Sequence, residues 1–167
     1  NQQLWFNRFV QGDLVGNAWT EVGSVKIGEV VTRVTRSAQG QLEVNGSKYY
    51  STGSIFADWI DLYAYDDVNQ RPVIAAVNRH DSGVRVLDDF GQKTTGSGTL
   101  TLNKVPVEEA HLIAFEERFQ YQTAYYQQFH LVTLTGIAQS AVASFSHEVR
   151  ERKRIFSHGN ADLARYD

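Results

Sequence analysis

Polar and apolar positions alternate along much of the first two-thirds of the chain, and a period of two marks strands with unlike faces. In Trp59–Tyr65 the residues Ile60, Leu62 and Ala64 fall on one side, with Trp59, Asp61, Tyr63 and Tyr65 on the other. Thr99–Val105 alternates similarly, setting Leu100, Leu102 and Lys104 opposite Thr99, Thr101, Asn103 and Val105. Further strands are predicted in Glu29–Arg36, around Val30, Val31 and Val34, and in Pro72–Asn78 and Val84–Leu87. The last two are separated by the polar turn His80-Asp81-Ser82-Gly83. Gln41–Val44 and Ser47–Ser51 flank Asn45-Gly46, a dipeptide suited to the positive φ angles of a two-residue hairpin turn, so a hairpin is expected there. Short strands with regular turn signals predict an antiparallel β-sandwich or barrel.

From about Glu116 the period lengthens. Leu131, Leu134, Ala138, Ala141, Phe145 and Val149 recur at three- and four-residue steps and share one helix face, while Phe129, Val132 and Ile137 lie on other sides. A helix apolar on several faces calls for more than one packing neighbour. Only one long helix is predicted, so its partners are expected from deleted sequence or from other subunits. The fold class expected is α+β: an antiparallel β-sandwich or barrel followed by a long helix of a truncated bundle.

Composition narrows the chemistry. The 167 residues include no Cys, which excludes a disulfide framework, a thiol nucleophile and cysteine-held zinc or iron–sulfur sites. The absence of Cys is in keeping with a cytoplasmic location, which is the expectation here. The absence of Met, with Asn1 in first place, reads as a chain processed, trimmed or cut from a longer one. Sixteen Lys and Arg against nineteen Asp and Glu give a net charge of −3, which argues against a nucleic-acid partner. The one basic cluster, Arg150, Arg152, Lys153 and Arg154, ends the predicted helix, where cations suit the helix dipole. No apolar run approaches the ~20 residues needed to span a bilayer, so no membrane partner is expected.

The five histidines show no ligand spacing, and no metal site is expected. Gly96-Ser97-Gly98 departs from the dinucleotide fingerprint and reads as a tight turn into the next strand. Two segments are richer. Gly16-Asn17-Ala18-Trp19-Thr20-Glu21 sets amide, indole and hydroxyl groups side by side, and Ser47-Lys48-Tyr49-Tyr50-Ser51-Thr52-Gly53 places aromatics next to hydroxyls. A flat heterocycle edged with carbonyls and ring nitrogens needs that mixture of aromatic wall and short donors. Strand propensity alone also favours Tyr and Thr.

At these residues the chain resembles the acyl-CoA dehydrogenase superfamily. Gly16–Gly23 is similar to its Thr-Glu-containing flavin loop, and Asn45-Gly46-Ser47-Lys48-Tyr49-Tyr50-Ser51-Thr52 to its Asn-Gly-x-Lys-x-Trp-Ile-Thr motif. Phe90–Thr99, followed by Asn103-Lys104-Val105-Pro106-Val107, resembles the strand pair ending in Val-Pro. The resemblance runs from about Phe9 through nearly the whole chain. It implies that residues 1–112 form the middle β-domain with its lead-in, that residues 113–167 begin a truncated C-terminal helical domain, and that the N-terminal helical domain is absent.

Departures from the dehydrogenase pattern indicate a branch. Tyr50-Ser51-Thr52 replaces Trp-Ile-Thr, Asn17 stands where an aromatic is common, and Phe129-His130 replaces an Arg used near coenzyme A. This combination resembles the flavin-dependent monooxygenases of the dibenzothiophene monooxygenase-like and sulfur-acquisition type. The resemblance implies reduced flavin delivered by a separate flavin reductase, with FMN favoured and FAD as the alternative. It also implies an organosulfur or aromatic small-molecule substrate and a homotetramer. Ser51 is the expected catalytic contact at the reacting edge, with Asn17, Trp19, Thr20, Tyr50, Ser51 and Thr52 binding the flavin. Two other readings are an acyl-CoA dehydrogenase using FAD and an inactive proteolysed β-core.

Overall fold

The computed structural model describes residues 2–22, 29–91 and 94–151. Gly23, Gln92, Lys93 and three members of the basic cluster, Arg152, Lys153 and Arg154, lie outside the described residues. The chain forms α1 (Gln2–Gln11), β1 (Val15–Ala18), β2 (Arg33–Arg36), β3 (Leu42–Lys48), β4 (Trp59–Asp66) and β5 (Arg71–Asn78). It continues with β6 (Val84–Val86), β7 (Leu100–Val107), β8 (Leu112–Ala114) and α2 (Gln122–Glu151). Two compact units result, one ending at Arg118 and the other starting at Phe119.

The architecture is α+β. Eight strands make one open sheet in the order β6-β7-β3-β2-β4-β5-β8, with β1 added on β4. Most ladders are antiparallel, but β1 and β2 both run parallel to β4. Only Arg33 and Val34 of β2 pair with β4, opposite Tyr65 and Asp66. β5 and β7 approach each other without being ladder neighbours, so the sheet folds over a single core.

β4 follows the alternation of its sequence. Ile60, Leu62 and Ala64 are buried, while Asp61, Tyr63 and Tyr65 stand half-exposed on the other face. β5 supplies Val73, Ala75 and Val77 to the same core. Each such Val or Leu contributes about 1.5–3 kcal/mol by leaving water. The turn between these strands is fixed by buried Asp66, whose carboxylate accepts from the Val68 and Asn69 amides and the Asn69 side chain.

Asn45-Gly46 does not form the expected hairpin turn. Both residues lie inside the continuous strand β3, which pairs with β2 on one edge and β7 on the other. Their turn chemistry serves a bulge instead. Val44 pairs with Val105 and Gly46 with Leu102, so β7 carries one residue more than β3 across this step. The surplus is absorbed at Lys104, whose φ is 51°, and Asn45 Oδ1 accepts the Lys104 amide at 2.8 Å. Gly46 is required by crowding, since a Cβ there would stand 2.5 Å from Thr32 Oγ1 and 2.8 Å from its Cα.

The bulge also corrects the predicted faces of β7. Val105 and Val107 join Leu100 and Leu102 in the core, whereas Lys104 is exposed. β2 is shorter than predicted: its ladder spans Arg33–Arg36, with Val30 and Thr32 buried in the lead-in. Three elements carried no sequence prediction, α1, β1 and β8. α1 packs through Trp5, edge-on to Trp59 at 5.6 Å, and through Arg8, whose guanidinium lies 3.8 Å from the Trp59 ring centre.

α2 is a 30-residue helix as its periodicity predicts, and it buries no residue. Leu131, Leu134 and Phe145 on the predicted face are 60%, 63% and 71% exposed, and Phe129 and Ile137 on other sides are exposed as well. No helix of the described residues is long and apolar enough to cross a membrane.

Candidate functional site

Three ribbons of backbone lie side by side at one end of the sheet. The first is β1 with its continuation Trp19-Thr20-Glu21. The second leaves β3 as Tyr49–Ile55, and the third is Thr95–Gly98. The Asn17 amide donates to the Thr52 carbonyl at 2.8 Å, and the Tyr49 amide to the Thr20 carbonyl at 3.0 Å. On the other flank, the Ser51, Gly53 and Ile55 amides donate to the Gly98, Thr95 and Gly96 carbonyls. On its other side Gly98 packs against Leu87, where a Cβ would fall 1.5 Å from the Leu87 carbonyl oxygen. Gly96-Ser97-Gly98 is thus a buried turn leading into β7.

All six residues singled out from the sequence lie on the first two ribbons. Asn17, Thr20, Tyr50 and Thr52 are exposed, Trp19 is half-buried, and Ser51 is fully buried. Asn17 is turned outward by the strand alternation that buries Gly16 and Ala18. Tyr50 has a φ of 59°, uncommon for a bulky residue and a frequent mark of a constrained site. Thr52 Oγ1 donates to the Tyr50 carbonyl at 3.1 Å, and the Tyr50 ring stacks on Phe90 with centroids 4.6 Å apart. Ser51 Oγ donates to the Gly98 carbonyl at 2.6 Å, so its proton is already engaged.

Trp19 faces a different environment. Its indole N–H donates to Asp61 Oδ1 at 3.2 Å, its ring packs near Tyr63 and Phe115, and the Arg118 guanidinium stands 4.3 Å from the ring centre. Burial pushes the Asp61 carboxyl up from its ordinary range, opposed by the indole N–H and by the charge of Arg118.

Beneath Thr20 sits a sealed ion pair. Lys48 is fully buried, and its Nζ donates to Glu21 Oε1 at 2.6 Å and to the Trp19 carbonyl at 3.4 Å. The same carboxylate oxygen accepts from the Thr32 amide and hydroxyl, and Oε2 accepts from the Val31 amide at 2.7 Å. Burial works against the Glu21 charge, but the Lys48, Thr32 and Val31 donors outweigh it and hold the carboxyl down at about 2. Burial likewise draws the Lys48 ammonium below its ordinary value, with Glu21 resisting.

The sequence reading missed Lys48 and Glu21 as a unit, and assigned no site role to Phe90, Asp61 or Arg118. Parity on β4 set Asp61 beside the tyrosines, a legible signal. Nothing along the chain marked Lys48 as buried, because only the fold brings Glu21 across to it.

The donor set suits a flat heterocycle. An amide and two hydroxyls stand exposed on laced backbone, beside a constrained aromatic stacked on a second ring. Carbonyl and ring-nitrogen edges match the first, and a ring face the second.

No protein-family model matches the chain, and no curated protein matches it by sequence. Solved structures that share this fold include an FMN-bound protein, a monooxygenase and an acyl-CoA dehydrogenase. The chain is similar to FMN-bound TdsC from Paenibacillus sp. A11-2, at 28% identity and a TM-score of 0.57, over 66% of this chain and 29% of that one. It is similar to the methanesulfinate monooxygenase MsuC from Pseudomonas fluorescens, at 24% identity and a TM-score of 0.77, over 99% of this chain and 43% of that one. An acyl-CoA dehydrogenase from Slackia heliotrinireducens follows at 22% identity and a TM-score of 0.66, over 83% and 37% respectively. The chain spans less than half the length of these structures.

Proposed function

We propose that this chain is the flavin-binding part of a flavin-dependent monooxygenase that uses reduced FMN and dioxygen on an organosulfur or aromatic substrate. The observation that carries this reading is the laced pair of ribbons. They set Asn17, Thr20, Tyr50 and Thr52 together at the surface of a fold shared with FMN-bound TdsC. In this reading the Asn17 amide and the Thr20 hydroxyl bind the polar edge of the ring system, Thr52 Oγ1, its proton given to the Tyr50 carbonyl, offers that edge an acceptor, and Tyr50, backed by Phe90, forms its wall. Trp19, whose indole is held by Asp61, is the remaining flavin-binding residue of the first ribbon, apart from this wall.

The bound flavin supplies the activation of dioxygen; the protein binds it, orients it and shields it from water. Ser51 contributes by holding the Gly98 ribbon against the Tyr50–Thr52 ribbon. A direct contact of its hydroxyl with the flavin would require release of the Gly98 carbonyl. Reduced flavin comes from a separate reductase, FMN is favoured over FAD, and the working assembly is a homotetramer.

The test supplies the full-length protein with a flavin reductase, NADH, FMN and isotope-labelled dioxygen, using dibenzothiophene, indole and methanesulfinate as probes. Labelled oxygen in a product is the expected result. Turnover of an acyl-CoA with an artificial electron acceptor, without dioxygen or reductase, would overturn the reading in favour of a dehydrogenase.

A further inference from the structure

We propose that Lys48 is a positioning residue for the flavin, fixing the backbone that presents Thr20 by holding the residues on either side of it. The proposal rests on the flavin reading above and assigns a role to the buried pair beneath the ribbons. Three consecutive residues of the first ribbon are each gripped from the end of β3. Trp19 is held through its carbonyl by Lys48 Nζ, Thr20 through its carbonyl by the Tyr49 amide, and Glu21 through its carboxylate by Lys48 Nζ. From the far side, Glu21 is held by the Val31 and Thr32 amides and the Thr32 hydroxyl.

Thr20 is therefore the exposed tip of a segment clamped at both shoulders. β3 itself is anchored, since Lys48 pairs with Leu100 of β7. The clamp has a physical rationale that apolar packing lacks. A buried ammonium is costly, and a buried ion pair adds little net stability over a well-packed apolar pair. Its bonds are directional, however, so it fixes where the Trp19 carbonyl and Glu21 carboxylate stand. Apolar side chains of similar volume would fill the same space without setting that orientation. Lys48 reaches no exposed surface, so it acts through Thr20 and not on the ring.

Lys48→Met alone leaves Glu21 buried and unpaired and can fail to fold, so the test removes both charges in Glu21→Gln/Lys48→Met. Anaerobic calorimetry with photoreduced FMN then compares the full-length parent, this double variant, Thr20→Val and the triple variant. All titrations are run below the melting temperature of every protein. The double variant is expected to fold and to bind reduced FMN about tenfold or more weaker, the cost of a misplaced contact. That loss should shrink strongly in the Thr20→Val background, because both changes then remove one contact. Val34→Ala serves as the stability control: it lowers the melting temperature and leaves FMN affinity unchanged. Equal affinity in parent and double variant would overturn the proposal, as would a loss that adds independently to that of Thr20→Val. A parent that binds no reduced FMN instead removes the flavin reading on which the proposal stands.

Discussion

The ion pair beneath the first ribbon and the pair beside β2 join similar groups in opposite surroundings. Lys48 and Glu21 meet at 2.6 Å with side chains 0% and 9% exposed. Arg33 and Asp67 meet at 3.1 Å with side chains 43% and 39% exposed, and the Arg33 guanidinium also lies 4.9 Å from the Tyr65 ring centre. In the second pair water competes with each partner and screens the attraction, so loss of either member is nearly replaced by solvent. In the first, the carboxylate is answered mainly by protein donors: Lys48, the Val31 and Thr32 amides and the Thr32 hydroxyl. Similar charges thus make a fixed joint in one place and a surface contact in the other.

The sharpest way to break this comparison is to remove one buried charge. Lys48→Met is expected to cost about 3 kcal/mol, because it leaves a largely buried carboxylate without its counter-charge, held only by the Val31 and Thr32 donors. Urea denaturation checks it, and a loss no greater than that of an exposed pair would erase the contrast.

Acid should act on the sealed pair next. Glu21 titrates at about 2 in the fold against 4.5 for the free group. Its contribution is therefore fully present above the unfolded value and is lost as pH falls from 4.5 towards 2, by up to about 3 kcal/mol. Thermal melts across the interval, compared with Glu21→Gln, isolate this share: the variant should lose the corresponding slope.

Smaller again is the effect of removing both buried charges. Glu21→Gln/Lys48→Met should recover part of the single variant's loss, the remainder arising because the Gln side-chain NH2 replaces an oxygen that accepts a backbone amide. Recovery in the same urea experiment separates the cost of an unpaired charge from the worth of the pair. The smallest change is expected for Arg33→Ala, about 0.2–1 kcal/mol and weaker in high salt. A larger, salt-insensitive loss there would place the Tyr65 stacking above the ion pair.

How far the sequence foretold this molecule depends on whether the signal was local. β4 was legible because every alternate residue obeys one face, and α2 because its apolar period is long. Asn45-Gly46 misled because the same backbone permissiveness serves a turn or accommodates a bulge, and the choice is made by β7, more than fifty residues away. β1 was invisible for a related reason. Gly16 and Asn17 are poor strand formers, and their extended form comes from pairing with Ile60 and Asp61. The two ribbons of the candidate site were singled out from their side-chain chemistry, and a flavin was assigned to them through the family resemblance. The clamp that joins them was not found, since a lysine on a strand reads as solvent-facing until its partner arrives from another loop.

The extra residue in β7 has a consequence for how this strand can be edited. Remove Lys104 from the count and Leu100, Leu102, Val105 and Val107 become strictly odd-and-even neighbours, each on the inward beat. The bulge behaves as a single-residue insertion in an otherwise regular word. Deleting Lys104 would preserve the parity of every core position, whereas deleting Thr101 would keep Leu100, Val105 and Val107 in phase but turn Leu102 to the wrong side. Length variation in this strand is thus tolerable at one letter, and Asn45, left without the amide it now serves, would be the residue that records the change.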